Sequence, residues 1–339
     1  MPLPSYEFIS VPLWLLTALH ILTLTLHFVA MNFVLGGVIA VLWGKFTNRW
    51  QHPVVQRFIK LFPSAMAATI SFGVAPLLFV QLVFHRQVYS ASIVSGWFWL
   101  MIIGAVMFSY YFLYGASFGK KQSRKGTYLV LSLIGMLYIA LVYTTVFSMA
   151  ERPDIIASTY AANQSGLVLN SEIGEWMFRW LHMITGAVTV GGFFMGLLGR
   201  HDNQAFAVGK SFYLWGMAAA AIFGFVYLFT LGDVMLGFMR SPGIWVLTIG
   251  IILSLGSLHF FFKKRFTPAA LMLFVSVVTM VISRHYVRLI KLESHFDPST
   301  LAVQPQWGPF LLFLVCFLVA LGVIWYMLNL FFNPRHIRR

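Results

Sequence analysis

Nine long apolar stretches follow one another along this chain of 339 residues, and they limit its fold more than any other feature. Each has about 20 residues or more, enough for a helix to cross a hydrocarbon core about 30 Å thick. Within lipid the backbone must satisfy its own hydrogen bonds, so each stretch is predicted to be a transmembrane α-helix. The stretches are residues 12–43, 58–84, 94–118, 126–150, 175–199, 206–232, 243–262, 266–286 and 308–332. We therefore predict an all-α membrane protein with a single polytopic domain over residues 1–339.

The charged residues predict how the chain is oriented. The chain has 23 Lys and Arg against 9 Asp and Glu, and most of the basic residues lie on alternate connections, which is typical of cytoplasmic loops. This pattern places the N-terminus outside and the C-terminus in the cytoplasm, in a bacterial cytoplasmic (inner) membrane. The excess of positive charge is then a topology signal that fits a lipid environment and no nucleic-acid partner. The basic residues of these connections are Lys45, Arg49, Arg57, Lys60, Lys120, Lys121, Arg124, Lys125, Arg200, Lys210, Lys263, Lys264, Arg265, Arg335, Arg338 and Arg339.

Acidic residues follow the opposite pattern. All of them except Asp202 fall on the predicted outer side, and none falls in the middle of an apolar stretch. The chain also has a single cysteine, Cys316. One cysteine excludes an internal disulfide, a cysteine-ligated iron–sulfur cluster and a CxxCH haem attachment on this chain.

Histidines inside the apolar stretches point to a cofactor. "LTALHILTLTLHFVAMNFVLGG" contains His20 and His27, and seven residues make almost two helical turns, so both rings share one face. His182 lies two turns into the fifth stretch, while His85 and His285 lie at the predicted outer ends of two others. Neutral imidazole is a good axial ligand for haem iron. The alternative is that each ring hydrogen-bonds to a neighbouring helix.

Arginines and glycines extend this interpretation. Planar guanidinium groups match carboxylates such as haem propionates, although snorkelling to lipid phosphate is an alternative. Glycines in "VLGGVIA" and "GAVTVGGFFMG" either allow helices to touch or leave room for a flat macrocycle. The arginines of the predicted outer layer are Arg86, Arg179, Arg240, Arg284 and Arg288.

Several blocks resemble subunit I of the cytochrome bd quinol oxidases. "LHFVAMNFVLGG" is similar to the family's first-helix motif, "WLHMITGAVTVGGFFMGLLGR" to its fifth helix and "KSFYLWGMAAAAIFGFVYLFTLGD" to its sixth. The resemblance covers about residues 12–233, and residues 243–332 match weakly. It implies that His27 corresponds to the ligand of the high-spin b haem and His182 to one ligand of the low-spin b haem.

The chain also departs from that family. Gln81 stands where the family has a carboxylate, and the third stretch lacks the two glutamates that serve its oxygen-binding haem. The long quinol-binding loop is reduced to "DVMLGFMRSP", and the GRQPW signature is missing. The family's methionine ligand would fall on Pro242 and is not reproduced; Met239, Met235 or a histidine is a candidate to replace it.

The leading hypothesis is a haem b subunit, with two or more haems, that exchanges electrons between the quinone pool and a redox partner. His20 together with His27 would then give a second iron on the same helix. Membrane-embedded carboxylates usually carry protons to a buried site, so their absence disfavours the second hypothesis, a shortened quinol oxidase that reduces oxygen. The third hypothesis, a cofactor-free transporter or structural subunit, predicts broken helices or a polar site at mid-depth.

The expected partner lies on the outer side and is a c-type (multihaem) cytochrome or an iron–sulfur subunit. Four acidic residues bracket the predicted outer connection between the fourth and fifth stretches and are expected to form a negative rim that steers a basic redox protein. The alternative is that they only keep the loop soluble. The four are Glu151, Asp154, Glu172 and Glu175.

Overall fold

A computed structural model of the chain describes residues 8–47 and 49–332. In these ranges nine helices are long and apolar enough to cross a membrane, which confirms the predicted fold class and an integral, multi-pass membrane protein. The orientation predicted from the termini concerns residues such as Glu7, Arg335, Arg338 and Arg339, which lie outside the described residues. The long helices are α1 (Leu13–Phe46), α2 (Pro53–Val83), α4 (Gly96–Phe118), α5 (Gln122–Ala150), α7 (Ile173–Leu198), α8 (Asn203–Thr230), α10 (Gly243–Phe262), α11 (Phe266–Leu292) and α12 (Trp307–Phe332).

Three shorter helices occupy connections between the long helices. They are α3 (His85–Val94), α6 (Pro153–Ala162) and α9 (Asp233–Arg240). α3 contacts α6, α9 contacts α11, and Glu151 before α6 pairs with Arg284 of α11, so these three connections lie at the same end of the bundle, which we call the long-loop end. The opposite, short-loop end carries the connections that contain Lys120, Lys121 and Arg200.

Local interactions define where several helices begin. Pro53 begins α2 because its missing N–H costs nothing in the first turn, and the His52 ring accepts a hydrogen bond from Val54 N–H. At the start of α8 the Asp202 carboxylate accepts from Ala205 N–H, as expected for an N-cap. Gly232, with φ of 56°, makes the turn between α8 and α9, a conformation that glycine adopts without steric cost.

The chain forms two compact units, residues 17–297 and residues 1–16 with 298–339. In the second unit the described chain pairs at Ile9 and Val303, where Ile9 N–H donates to Ala302 O at 2.8 Å. The first unit contains α2 to α11 and most of α1. Its core near the short-loop end includes several aromatic rings, with Phe33 edge-on to both Phe58 and Phe194 at centroid distances of 4.9 Å.

Glycines bring α1, α7 and α8 into close contact. A Cβ at Gly36 would overlap the Ala187 carbonyl, and one at Gly191 would overlap the Gly36 backbone. Gly192 is likewise packed against the backbone of α8. Of the two alternatives for these glycines, helix contact therefore holds at Gly36, Gly191 and Gly192, which leave no room for a macrocycle. Gly186, whose Cβ would meet nothing within 4 Å, is the open one.

Candidate functional site

His20 and His27 lie on the face of α1 that packs against α2. The His27 Nδ1 atom is 2.9 Å from the Thr69 carbonyl oxygen, and the His20 Nδ1 atom is 3.1 Å from that of Pro76. A carbonyl oxygen only accepts, so in each neutral ring Nδ1 carries the hydrogen and Nε2 carries the free lone pair. No described residue makes a hydrogen bond with either Nε2.

Both rings line one cavity of about 310 Å³. Its volume lies within the range of small-molecule and cofactor sites, which runs from roughly 300 to 1,000 Å³. Apolar side chains of α1, α2, α4, α5 and α7 form most of the wall, among them Met31, Met136 and Tyr143. The cavity is therefore a largely apolar space with two available imidazole nitrogens beside it.

His182 repeats the hydrogen-bond arrangement on another pair of helices. Its Nδ1 atom lies 2.7 Å from the Ala220 carbonyl oxygen on α8. Its neighbour Met183 lines the 310 Å³ cavity, whereas His182 does not. His27 and His182 thus face different surroundings, as two separate ligand positions require.

His285 lies within α11, which extends to Leu292 and so runs past the end expected at residue 286. It is close enough to His20 for the two rings to interact electrostatically. The buried Nδ1 atom of His285 makes no hydrogen bond within the described residues. Unpaired buried polar atoms are rare in native structures and call for a partner.

A buried ionic cluster lies at the long-loop end. Glu151 is only 2% exposed and pairs with the Nη2 atom of Arg284, with Arg288 Nε at 3.4 Å and with Arg179 Nη1 at 3.9 Å. Lys291 Nζ is 3.8 Å from Glu151 and also pairs with Glu175. We call these six residues, from α7, α11 and the end of α5, the Glu151 cluster. Its four cations and two carboxylates leave a net charge of +2.

The cluster controls the ionisation of Glu151. Burial alone would raise the pKa of this carboxyl, but the charges of Arg284, Arg179, Lys291 and Arg288 together outweigh burial and hold it well below its usual range. Glu151 is therefore ionised at neutral pH. Donor atoms remain unpaired, because the buried Nε and Nη1 of Arg284 make no hydrogen bond in the described chain.

The cluster and the cavity share two arginines. The side chains of Arg179 and Arg288 line the cavity that holds His20 and His27. Arg179, Arg284 and Arg288, which were predicted separately from sequence, thus come together beside two of the predicted histidines. Their common carboxylate partner also shows that none of the three snorkels freely to the membrane surface.

Two predicted site residues lie elsewhere. Met239 is 48% exposed on α9, and Arg240 is the exposed last residue of that helix. Neither lines the cavity or joins the Glu151 cluster, so the structure does not place them with the histidines. The turn that sends α9 away from α8 follows from Gly232.

The negative rim expected at the outer surface is wrong for two of its four members. Glu151 and Glu175 turn inward to the cations of the cluster, and their side chains are 2% and 10% exposed. Asp154 remains at the surface but pairs with Arg152 at 2.9 Å. Of the four, only Glu172 is both exposed and outside any ion pair among the described residues.

Sequence reasoning missed several residues of this region. Lys291 and Tyr227 lie near the ends of α11 and α8, and the local sequence around them does not indicate which residues they contact. Gly73 and Gly224 were also missed. A Cβ at Gly73 would be 2.8 Å from His27 Nδ1, and a Cβ at Gly224 would be 2.8 Å from His182 Nδ1. The available signal was their position, each at mid-helix, where glycine is a poor helix former.

Among the described residues no three His, Cys, Asp or Glu side chains form a group that could hold a bare metal ion. A haem iron differs, since the macrocycle supplies four nitrogens and the protein supplies one or two axial ligands. The fold and site thus define a multi-pass helical membrane protein with imidazoles and arginines around an internal cavity. The chain matches no family model, no curated protein and no solved structure.

Proposed function

We propose that the chain is a haem b-containing subunit of a respiratory electron-transfer complex in a bacterial cytoplasmic membrane. In this proposal it exchanges electrons between the quinone pool and an extracytoplasmic partner, and it is a shortened relative of cytochrome bd subunit I. The observation that carries the proposal is the arrangement shared by His20, His27 and His182. Each ring donates Nδ1–H to a main-chain carbonyl. A histidine that ligates a metal through one ring nitrogen usually donates its other N–H in this way.

The residues of the cavity fit a haem b group. Haem b is a flat, largely apolar ring that carries two propionates. The apolar lining accepts the ring, and the net charge of +2 on the Glu151 cluster equals the charge that two ionised propionates would neutralise. Arg179 and Arg288 reach the cavity from that cluster, and guanidinium groups bind carboxylates bidentately.

When bound, haem b supplies reversible one-electron chemistry at its iron. The chain's own residues bind, orient and insulate. The Nε2 atoms of His27 and His182 would bind haem iron, and they would do so at two haem positions because His27 lines the cavity and His182 does not. His20 and His285 are the candidates for further ligation, since both have a ring nitrogen without a described hydrogen-bond partner. Met31, Met136 and Tyr143 help to keep water out of the cavity.

The site's position favours a partner at the long-loop end. The Glu151 cluster lies there, and so do the first turns of α7 with His182. The basic connections lie at the other end, which by the positive-inside pattern is cytoplasmic. A c-type cytochrome or an iron–sulfur protein outside the membrane is then the nearer redox partner.

Electron transfer is favoured over oxygen reduction. Of the described acidic residues none lies in the middle of a long helix. Glu151 is the most deeply buried of them, and its lowered pKa makes it a poor proton carrier at neutral pH. An oxygen-reducing site needs proton delivery that this arrangement does not supply.

Alanine substitution tests the ligand assignment. His27→Ala and His182→Ala should each remove about one haem per chain, because each variant loses an axial nitrogen, while membrane insertion is retained. His259→Ala is the matched control, since His259 lies on α10 with an exposed side chain. Haem content and visible spectra of the purified variants measure the effect. Unchanged haem content in both test variants would contradict the proposal.

A further inference from the structure

The hydrogen bonds of His27 and His182 have the same construction, although they join different helices. The His27 ring donates to the carbonyl of Thr69, and Gly73 lies four residues further along α2. The His182 ring donates to the carbonyl of Ala220, and Gly224 lies four residues further along α8. In both cases the glycine is the residue whose N–H is the normal helical partner of the same carbonyl.

Helix geometry explains how a glycine at that position opens the carbonyl to the ring. The Cα–Cβ bonds of a helix tilt toward its N-terminus, so a side chain covers the turn that precedes it. A side chain at position i+4 therefore covers the carbonyl oxygen of residue i. Without a Cβ, the oxygen is open to a second donor from a neighbouring helix.

The space at both glycines is already filled by the histidine. A Cβ at Gly73 would be 2.8 Å from His27 Nδ1 and 2.9 Å from its Cε1, and one at Gly224 would be 2.8 Å and 3.0 Å from the same atoms of His182. Each ring is thus held by two restraints, a hydrogen bond and a contact with the glycine surface. His20 differs, since the residue four positions after Pro76 is Val80 and its hydrogen bond is longer, at 3.1 Å.

We propose that Gly73 and Gly224 are positioning residues, which open the Thr69 and Ala220 carbonyls to the His27 and His182 rings and so direct each Nε2 toward a haem iron. This inference rests on the proposed haem-binding function. It adds to that function the claim that glycines on α2 and α8 determine the orientation of the two rings. An alanine at either position pushes the imidazole off the carbonyl and turns Nε2 away from its ligand direction.

The test uses the full chain with ¹⁵N-labelled histidine rings, prepared both without haem and loaded with haem. His27→Gln and His182→Gln identify the two sets of ring signals. In the unsubstituted chain both rings should be Nδ1–H tautomers. Gly73→Ala should move the His27 signals alone, and Gly224→Ala should move the His182 signals alone.

Gly186→Ala is the matched control, because Gly186 lies one turn from His182 on α7 and its Cβ would meet nothing within 4 Å. It should leave both sets of signals unchanged. In the loaded chain, loss of the hydrogen bond from Nδ1 to the carbonyl should weaken haem retention at the affected position by roughly 10- to 100-fold. The electron paramagnetic resonance spectrum of any haem that remains should shift.

The outcomes separate this inference from the proposed function. Nε2–H tautomers in the unsubstituted chain would overturn the inference even if neither alanine variant could be purified. So would ring signals that respond to Gly73→Ala and Gly224→Ala no more than to Gly186→Ala. If the signals move as expected but the unsubstituted chain binds no haem, the proposed function fails while the glycine-dependent ring orientation stands.

Discussion

Glu151 shows at the scale of one residue how much a buried charge depends on its surroundings. It is the shared ion-pair partner of Arg179, Arg284, Arg288 and Lys291, and it holds α5 to α7 and α11. Taking an ion out of water costs several kcal/mol, which only close partners recover. Removal of this one carboxylate therefore leaves four buried cations with Glu175 as their only described counter-charge.

We predict that Glu151→Gln destabilises the chain strongly. Loss of one partner from a buried ion pair typically costs about 3–5 kcal/mol, because the remaining charge is uncompensated. The apparent melting temperature of the detergent-purified chain measures the loss. Asp154→Asn is the control, since Asp154 is 43% exposed and exposed pairs contribute about 1 kcal/mol or less. Equal melting temperatures for the two variants would contradict the role of Glu151.

The same residue predicts a pH dependence. A carboxyl whose pKa is lowered by folding stabilises the folded state above its unfolded pKa, and this contribution is lost as the pH falls toward the folded pKa. The unfolded pKa of a glutamate is about 4.3, so the loss should begin near that pH and grow below it. Melting temperatures recorded from neutral to acidic pH should decline there in the unsubstituted chain. The part of the decline that is due to Glu151 should be missing in Glu151→Gln.

At the scale of helices, the contact between α1 and α7 depends on two glycines that touch. Gly36 and Gly191 have no room for a Cβ, because the atoms in the way are backbone atoms that cannot move aside. We predict that Gly36→Ala separates the two helices and lowers the yield of monodisperse protein severely. Gly104→Ala on α4 should have little effect, since a Cβ there would meet nothing within 4 Å. Normal yield and melting temperature for Gly36→Ala would show that the helices are not in contact here.

The first turn of α7 allows a sharper test of partner docking. Glu172 is exposed, whereas Glu175 pairs with Lys291 inside the Glu151 cluster. Glu172→Lys should slow electron exchange with a basic c-type cytochrome at low salt and matter little at high salt, as expected for electrostatic steering. Glu175→Lys should instead lower stability at any salt concentration. A rate that does not respond to Glu172→Lys at low ionic strength would remove the steering role.

The long helices were predictable and their partners were not. Apolar length alone gave all nine within a few residues, since a membrane span needs about 20 such residues. It ended α11 at residue 286, six residues early, because Arg288 and Lys291 look like loop residues until their buried partner Glu151 is known. The seven-residue spacing of His20 and His27 correctly placed both rings on one face. Which carbonyls and glycines the two rings contact depends on how α2 packs on α1, and this packing cannot be predicted from the local sequence pattern.

For the whole molecule, the proposal predicts electron transfer without fast oxygen reduction. The purified chain or complex should consume oxygen slowly when it is supplied with reduced quinol. The turnover rate should lie far below that of a fast enzyme, which reaches roughly hundreds per second. Gln81→Glu alone should not change this, because the third long helix, α4, contains no acidic residue. An oxygen electrode measures the rate. Sustained fast consumption would favour the shortened quinol oxidase instead.

Haem content of the purified, unsubstituted chain tests the central claim most directly. A pyridine haemochrome spectrum identifies the type of haem, and its absorbance relative to the protein concentration gives the number bound per chain. The account predicts b-type haem at about two or more per chain, because His27 and His182 are separate ligand positions. A fully folded, membrane-extracted chain that contains no haem, and takes up none when haem is supplied during expression, would contradict it.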